Sequence, residues 1–584
     1  MNPEAAARAA CWTRALPLED LASTPLRVWR HGEEQILLVR TGGEVFAVDN
    51  RCPHEGYPLH TGTLAGCALT CPWHNWKFDV RDGSCLLGEE GVRRYPVRVV
   101  DGMVEVDLAE PDPAEQWPRL LRSFHDGLHE HQNERVARDG ARLILAGFPA
   151  ERLLLEVALH DARHAEYGTT HATAAAAECL RFLDRLSGPE AMAAVAVSAD
   201  MCGEANRRLP ERPRAEAIPG SGLEDLRRTV EDEDAARAEG LLRGALRAGL
   251  DRSEAFAWLA DLLADHFLDF GHPLIYLVKL DDLLGAVEAS DAEFEDLLAA
   301  LLYSIVLGTR EDTLPYLAPY FEGFGRGALA ALAGREGPAP ESEEDLLEAV
   351  REAALDAPGR PEAAAALRRA LEAGVGALSL ARALLLAAAE RFLRFDLEVD
   401  RDPGLAENWI WVTHRLTFAM AVLQAVERWP GPGALRFLVQ SLAFTHSGRG
   451  MDAPPERRPA WETGPADPER VLAALAGKDA ATALATAAGC LRDPAAAAAL
   501  RRSLEDLCLQ DPAVRPIVVV HVLKTLLAAF DARDALGEDP RRDLPVLATV
   551  RFLASPVRER RVHEQVHRAL DWVVHGRIPR KRTQ

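Results

Sequence analysis

The sequence predicts a multidomain protein, a small all-β antiparallel sandwich followed by a large all-α domain. Three observations carry this. Short apolar runs broken by Gly- and Asp-containing turns at intervals of about eight to twelve residues fill positions 26–108, as in a small sandwich or barrel. Composition changes sharply after Glu110-Pro-Asp-Pro-Ala-Glu-Gln-Trp-Pro118, beyond which Ala, Leu, Arg and Glu recur at helical spacing with few β-branched runs. Finally, 584 residues far exceed what the β region needs, so most of the chain is the helical body. The expected layout is a tail over 1–11, the β domain over 12–109, a linker over 110–118 and the helical body over 119–584. Sub-breaks in the body are expected near 208–222, 334–345 and 448–468.

Taken in order, Thr13 to Leu21 leads into strands over 26–30, 35–40 and 44–49. His31-Gly32-Glu33-Glu34 and Thr41-Gly42-Gly43 supply the hairpin turns between them. Leu69-Thr70 enters a loop that residues 76–80 leave, and Arg81-Asp82-Gly83 turns the chain into 84–87. Strands over 94–100 and 103–108, joined by Asp101-Gly102, complete the sheet region. In the body, helix-start boxes stand at Asp251-x-x-Glu254, Ser290-x-x-Glu293 and Ser342-x-x-Asp345. No strict repeat period emerges, which argues against a solenoid.

Chemistry concentrates in two loops, Cys52-Pro53-His54 and, 16 residues later, Cys71-Pro72-Trp73-His74. Each offers one soft thiolate and one borderline imidazole, a donor set suited to a binuclear iron–sulfur centre with cysteines on one iron and histidines on the other. A mononuclear zinc site more commonly repeats like with like, Cys with Cys and His with His. C-x-H followed by C-x-x-H, with its surroundings over 51–59 and 70–83, resembles the Rieske proteins, and bacterial Rieske ferredoxins in particular. The resemblance implies a Rieske-type sandwich carrying one [2Fe-2S] cluster on Cys52, His54, Cys71 and His74 near the surface. It departs from the respiratory type, in which an extra cysteine after each ligand pair forms a bridge; Tyr57 and Trp73 stand at those positions here. Asn75-Trp76 replaces that type's serine, so fewer hydrogen bonds reach the sulfurs. A potential near the low end of the Rieske range, roughly −150 mV, is expected.

The helical body holds most of the 18 histidines. Glu156, His160 and His164 form a stripe at four-residue spacing. Gly168-Thr169-Thr170 puts His171 at a helix start, and Gly271 and Pro273 flank His272 likewise. His414 follows Thr413, His446 follows Thr445, and His125, His129 and His131 crowd together. Imidazoles at helix ends can converge on a cavity, so His160, His164, His171, His272 and His414 are the candidate catalytic residues and a second metal in the helical domain is an expectation. The bland reading makes them caps or satisfied core histidines. The iron motif of Rieske oxygenases is absent: Asp161-Ala-Arg-His164 begins it, but the next histidine, His171, lies too far along. Phe270-Gly-His-Pro-Leu-Ile275, and Thr413-His414 with Phe418-Ala419, resemble short patches of all-helical questin-oxidase-type proteins. That resemblance implies an oxygenase-like chamber.

A net charge of −23 argues against nucleic acid or an anionic membrane surface as partner. Residues 1–10 have no export-signal layout, and the most apolar stretches, 374–393 and 516–530, carry charges or histidine (His521 and Lys524 in the second) unsuited to a span. Nine cysteines in so long a chain do not suggest a disulfide framework, and Cys67 and Cys85 read as small strand residues. A cytoplasmic setting follows. Gly374-Val-Gly376 and Gly323-Phe-Gly-Arg-Gly327 follow no strand, so no dinucleotide site is expected and electrons would come from a reductase or ferredoxin partner. The leading function is an oxidoreductase whose low-potential cluster passes electrons to a substrate or oxygen site in the helical domain, with a small-molecule substrate. The alternatives are an electron carrier or redox sensor whose body is a docking scaffold, and a structural zinc protein.

Overall fold

The computed structural model describes residues 11–110, 112–220, 222–333, 342–402, 404–405 and 407–555. The expected tail over 1–11 falls almost wholly outside them, as does most of the sub-break at 334–345. The molecule is multidomain, with antiparallel sheets followed by a large helical region.

Among the described residues, eleven strands make three sheets: β1 (Trp12–Pro17), β2 (Leu26–His31), β3 (Glu34–Thr41), β4 (Glu44–Asp49), β5 (Thr63–Ala65), β6 (Ala68–Thr70), β7 (Lys77–Asp79), β8 (Cys85–Leu87), β9 (Arg94–Tyr95), β10 (Val97–Val100) and β11 (Met103–Asp107). Their orders are β1-β11-β10, β2-β3-β4-β9 and β5-β6-β7-β8. Gly42-Gly43 and Asp101-Gly102 each have two positive φ angles, the mirror-image two-residue turn that matches strand twist. β3 organises the packing. Its side chains alternate, so Leu37 and Val39 enter one core with Val48, Phe78 and the two loop cysteines, while Ile36 and Leu38 enter the other with Tyr95, Val104 and Val106.

The single strand expected over 94–100 is two. Pro96 has no N–H to donate, and the chain switches there from the sheet of β4 to that of β11. β1 and β5 were not anticipated. The supposed linker is also different, because α1 (Pro113–Glu130) begins inside it.

Among the described residues, contacts group those up to Gly127 with Gln132–Pro149 as one compact unit, and Leu128–His131 with those from Ala150 onwards as the other. The first therefore extends past the boundary at 109 that composition suggested. A buried carboxylate accounts for it: Glu90, 3% exposed, accepts from Arg138 Nε (2.5 Å) and from Arg142, both on the helix Asn133–Leu145. Burying that charge is tolerable only with such partners.

Among the described residues the regular elements of the second unit are all helices, apart from isolated bridges. Six of its helices build its sites: α2 (Ala150–His164), α3 (His171–Cys179), α4 (Met192–Asn206), α5 (His272–Ala286), α6 (Trp409–Arg428) and α7 (Pro516–Ala535). α6 and α7 are buried on nearly every side, as central helices are. α3 packs on α5, α5 on α6, α6 on α7, and α7 back on α3, closing a ring of four. Among the helix-start boxes, Asp251 and Ser290 cap through their side chains (Asp251 to the N–H of Glu254, 2.9 Å), whereas Ser342 makes no such bond although a helix does start at Glu343. The described residues of 208–222, and residues 448–467, are loops and short 3-10 turns. Among the described residues no helix is long and apolar enough to cross a membrane.

Candidate metal centres

The first loop leaves β4 and the second joins β6 to β7. Backbone bonds fold each one: Cys52 N–H to Tyr57 O (2.9 Å), Gly56 N–H to Cys52 O (2.8 Å) and Cys71 N–H to Trp76 O (2.7 Å). Gly56 and Asn75 take left-handed backbone conformations at the two bends. The tips meet, with Tyr57 stacked on Trp73 (centroids 5.5 Å, planes 9° apart) and Trp73 Nε1–H donating to Glu55 (2.9 Å). Aromatic stacking thus stands where the respiratory type has its bridge, and all nine cysteines are free.

Cys52 and Cys71, 3% and 2% exposed, lie in the core, while the imidazoles of His54 and His74 reach the surface 4.5 Å apart, centroid to centroid. Trp76 stacks on His54 at 4.6 Å and fixes its plane. Burial, with Cys71 alongside, pushes the Cys52 thiol up to about 12 despite backbone N–H groups of His54 and Glu55 aimed at its sulfur. A buried thiol pair of this kind ionises readily only beside a cation, and the set of two sulfurs inside and two nitrogens outside fits a [2Fe-2S] group with unequal ends.

A family model for the Rieske [2Fe-2S] domain matches residues 11–96. The chain is 38% identical over 79 residues to the anthranilate 1,2-dioxygenase ferredoxin subunit of Burkholderia cepacia, covering 13% of this chain and 73% of that protein. It is 34% identical over 101 residues to the ferredoxin component of the naphthalene 1,2-dioxygenase system of Pseudomonas putida, covering 17% of this chain and 96% of that one. The chain belongs to the Rieske [2Fe-2S] family. A further relative, the oxygenase subunit of 3-chlorobenzoate-3,4-dioxygenase from Comamonas testosteroni, is 30% identical over 122 residues, 19% of this chain but only 28% of the relative. The family-model match ends at residue 96, before the helical body. The likeness of the helical body to questin-oxidase-type proteins rests on its short sequence patches alone.

In the helical unit the five histidines singled out by sequence separate into two groups. His171, His272 and His414 join His521, with one ligand nitrogen from each within 4.8 Å of the others. Their centroids form a ring: 4.7 Å from His171 to His272, 4.4 Å to His414, 4.7 Å to His521 and 4.8 Å back. Each ring is aimed from behind. Nδ1–H of His272, His414 and His521 donates to the carbonyls of Asp269 (2.5 Å), Ile410 (2.6 Å) and Ile517 (2.5 Å), and His171 Nδ1 meets the Tyr276 hydroxyl at 3.1 Å. A neutral imidazole has one N–H, so in His272, His414 and His521 Nε2 is a bare lone pair. Nε2 of His414 and Nε2 of His521 face each other at 3.1 Å, and those of His171 and His272 are buried without hydrogen-bond partners.

Burial drives His272 down to about 3 and holds His171, His414 and His521 well below the ordinary histidine range, so protons do not satisfy the lone pairs. Lys524, one turn beyond His521, adds to that depression; its Nζ is buried without a partner, and burial lowers it to about 7. Two devices set the approach. Asp161 accepts from Thr170 N–H and hydroxyl, from Thr173 and from Asn206 (2.6–2.9 Å), pinning the start of α3 and hence His171. Before His272, Asp269, Phe270 and Gly271 all have positive φ, and a Cβ on Gly271 would lie 2.1 Å from the Phe418 ring. Consecutive left-handed residues store strain of the sort found at functional sites.

His160 and His164 instead group with His129. His446 is a satisfied core residue, held by Tyr320 and by the Ala357 carbonyl (3.0 Å), and His131 pairs with Asp200 (2.8 Å). His521 is the ligand candidate that sequence reasoning missed. Its signal in the sequence is that His521 and Lys524 are the ionisable exceptions in the otherwise apolar run 516–530.

Proposed function

We propose that the chain is a Rieske oxidoreductase with two redox centres. Cys52 and Cys71 would hold one iron of the [2Fe-2S] cluster and His54 and His74 the other. His171, His272, His414 and His521 would hold a further metal ion at which dioxygen or a small substrate is reduced. The [2Fe-2S] group supplies single-electron transfer when bound. The residues around it do the rest: Trp76 and the Tyr57–Trp73 stack fix the loops, and His54 and His74 would present the histidine end of the cluster at the surface. An electron-donor reductase or ferredoxin would supply the electrons, as in the oxygenase systems whose ferredoxins the Rieske region resembles.

The observation that carries this reading is the 3.1 Å approach of two lone-pair nitrogens, His414 Nε2 and His521 Nε2, inside a four-imidazole ring. Two bare acceptors in a low-dielectric interior repel, and a divalent ion shared by all four removes the conflict. Four imidazoles suit iron, copper, zinc or nickel, and a set without negative ligands favours the lower oxidation state of a redox metal. The test is reoxidation by oxygen of the chemically reduced full-length protein. His521→Ala should keep the cluster absorption while its reoxidation slows at least tenfold. Reoxidation at the wild-type rate would remove the helical centre from the reaction.

A further inference from the structure

The second histidine group has no part in that proposal. His160 and His164 are one turn apart on α2, their rings stacked at 4.2 Å, and His129, in the last turn of α1, completes a triangle at 6.2 and 5.3 Å. One ligand nitrogen of each lies within 4.8 Å of the other two. The centre of such a triangle is at most about 2.8 Å from every nitrogen, against about 2.0–2.1 Å for a zinc–imidazole bond. Each nitrogen therefore needs to close in by no more than about 0.7 Å, a change that small torsions of these side chains supply.

The surroundings are built. His164 Nδ1–H donates to the Leu209 carbonyl (2.8 Å), which fixes the orientation of its ring. His129 is held by its backbone, since Arg208 N–H donates to the His129 carbonyl (2.8 Å). Two residues on, His131 turns the chain with a positive φ, pairs with Asp200 on α4 (2.8 Å) and packs so tightly on Gly203 that a Cβ there would lie 2.6 Å from its ring. Glu156, the acidic member of the α2 stripe, is paired with Arg152 (2.9 Å) and is no fourth ligand. His160 is buried while His129 and His164 are partly exposed, so one side of the triangle opens to solvent. Three imidazoles this close repel one another when protonated and share a cation favourably when neutral.

We infer that His129, His160 and His164 form a second, independent metal site of the helical unit, which takes a divalent first-row ion such as Zn2+ and leaves a coordination position for water. An ion bound by three neutral nitrogens with an open position has the donor set that lowers the pKa of bound water, so the site suits hydrolytic or structural use rather than electron transfer.

The experiment is equilibrium dialysis of the full-length, cluster-loaded protein against Zn2+ after chelator treatment, with zinc counted per chain. The wild type, a His129→Gln/His160→Gln variant and a His414→Gln/His521→Gln variant are compared. Loss of one zinc in the first variant, with at least a tenfold weaker site, and its retention in the second is the expected result. An unchanged zinc count in the first variant overturns the inference and leaves the four-histidine reading standing; loss confined to the second variant does the same. Because His160 is buried, His129→Asn alone provides a milder change, and it too should weaken zinc uptake tenfold while the thermal unfolding midpoint without zinc is unchanged. If His129→Asn binds zinc like the wild type, the triangle is not the site.

Discussion

In the proposed reading, the Rieske loops and the four-histidine ring would each hold a metal, with opposite use of solvent. In the loops both sulfurs are buried and both imidazoles sit at the surface, where water can satisfy whatever the metal does not. In the ring every lone pair is inside, and three of the imidazoles are aimed by a carbonyl from the preceding turn of chain. The exposed centre can exchange electrons with partners and tolerate changes at its rim. On that reading the enclosed one would have no substitute for its ion, and without it the facing lone pairs carry an electrostatic cost that packing must offset.

That contrast can be broken most severely at the loop cysteines. Cys71→Ser should abolish the cluster, with loss of essentially all acid-labile sulfide and visible absorption; retention of both would show that the donor set is wrong. Next, His414→Ala should lower the affinity of the helical centre for its ion by at least about a hundredfold, the scale of losing one ligand or its orienting partner, with cluster absorption intact. Competition with a chelator of known affinity reads this directly.

Gly271→Ala should come next, costing about 2 kcal/mol or more through its left-handed backbone and the Phe418 contact. Denaturant unfolding measures it, and loss of the helical ion should accompany it because His272 is the next residue. The pH dependence has a definite sign. A histidine whose folded pKa is depressed takes up its proton only on unfolding, so metal-free protein loses stability as pH falls through 6.5 towards about 3, the His272 value. The slope is at most about 1.4 kcal/mol per pH unit per histidine, and saturating metal should add to it, since protons compete for the same nitrogens. The smallest effect belongs to the exposed rim: Trp73→Phe removes the bond to Glu55 but keeps an aromatic ring over Tyr57, for a loss of about 1 kcal/mol, read as faster cluster loss on mild heating.

What could be read in advance follows the same division. The loop donors all lie within residues 52–74, so their spacing is written in the chain as C-x-H and C-x-x-H, and the turns at Gly42-Gly43 and Asp101-Gly102 fix the flanking hairpins. The ring draws on residues from 171 to 521. His171 and His272 stand out because helix starts carry local signals, and His414 is a candidate beside Thr413, but His521 sits within a helix where only burial distinguishes it from an ordinary core histidine. Partition into two groups of histidines depends on which helices pack together, and periodicity does not encode that. The extension of the first unit to Pro149 was hidden for a similar reason: it depends on Glu90 finding Arg138 and Arg142 across some 50 residues.

Counting iron, sulfide and other metals per chain in anaerobically prepared full-length protein, beside a His414→Gln/His521→Gln variant, tests the two-centre account most directly. The account predicts two cluster irons and two sulfides in both proteins, and one further metal ion in the wild type that the variant lacks. Identical metal content in the two proteins, with the cluster complete in each, would contradict it.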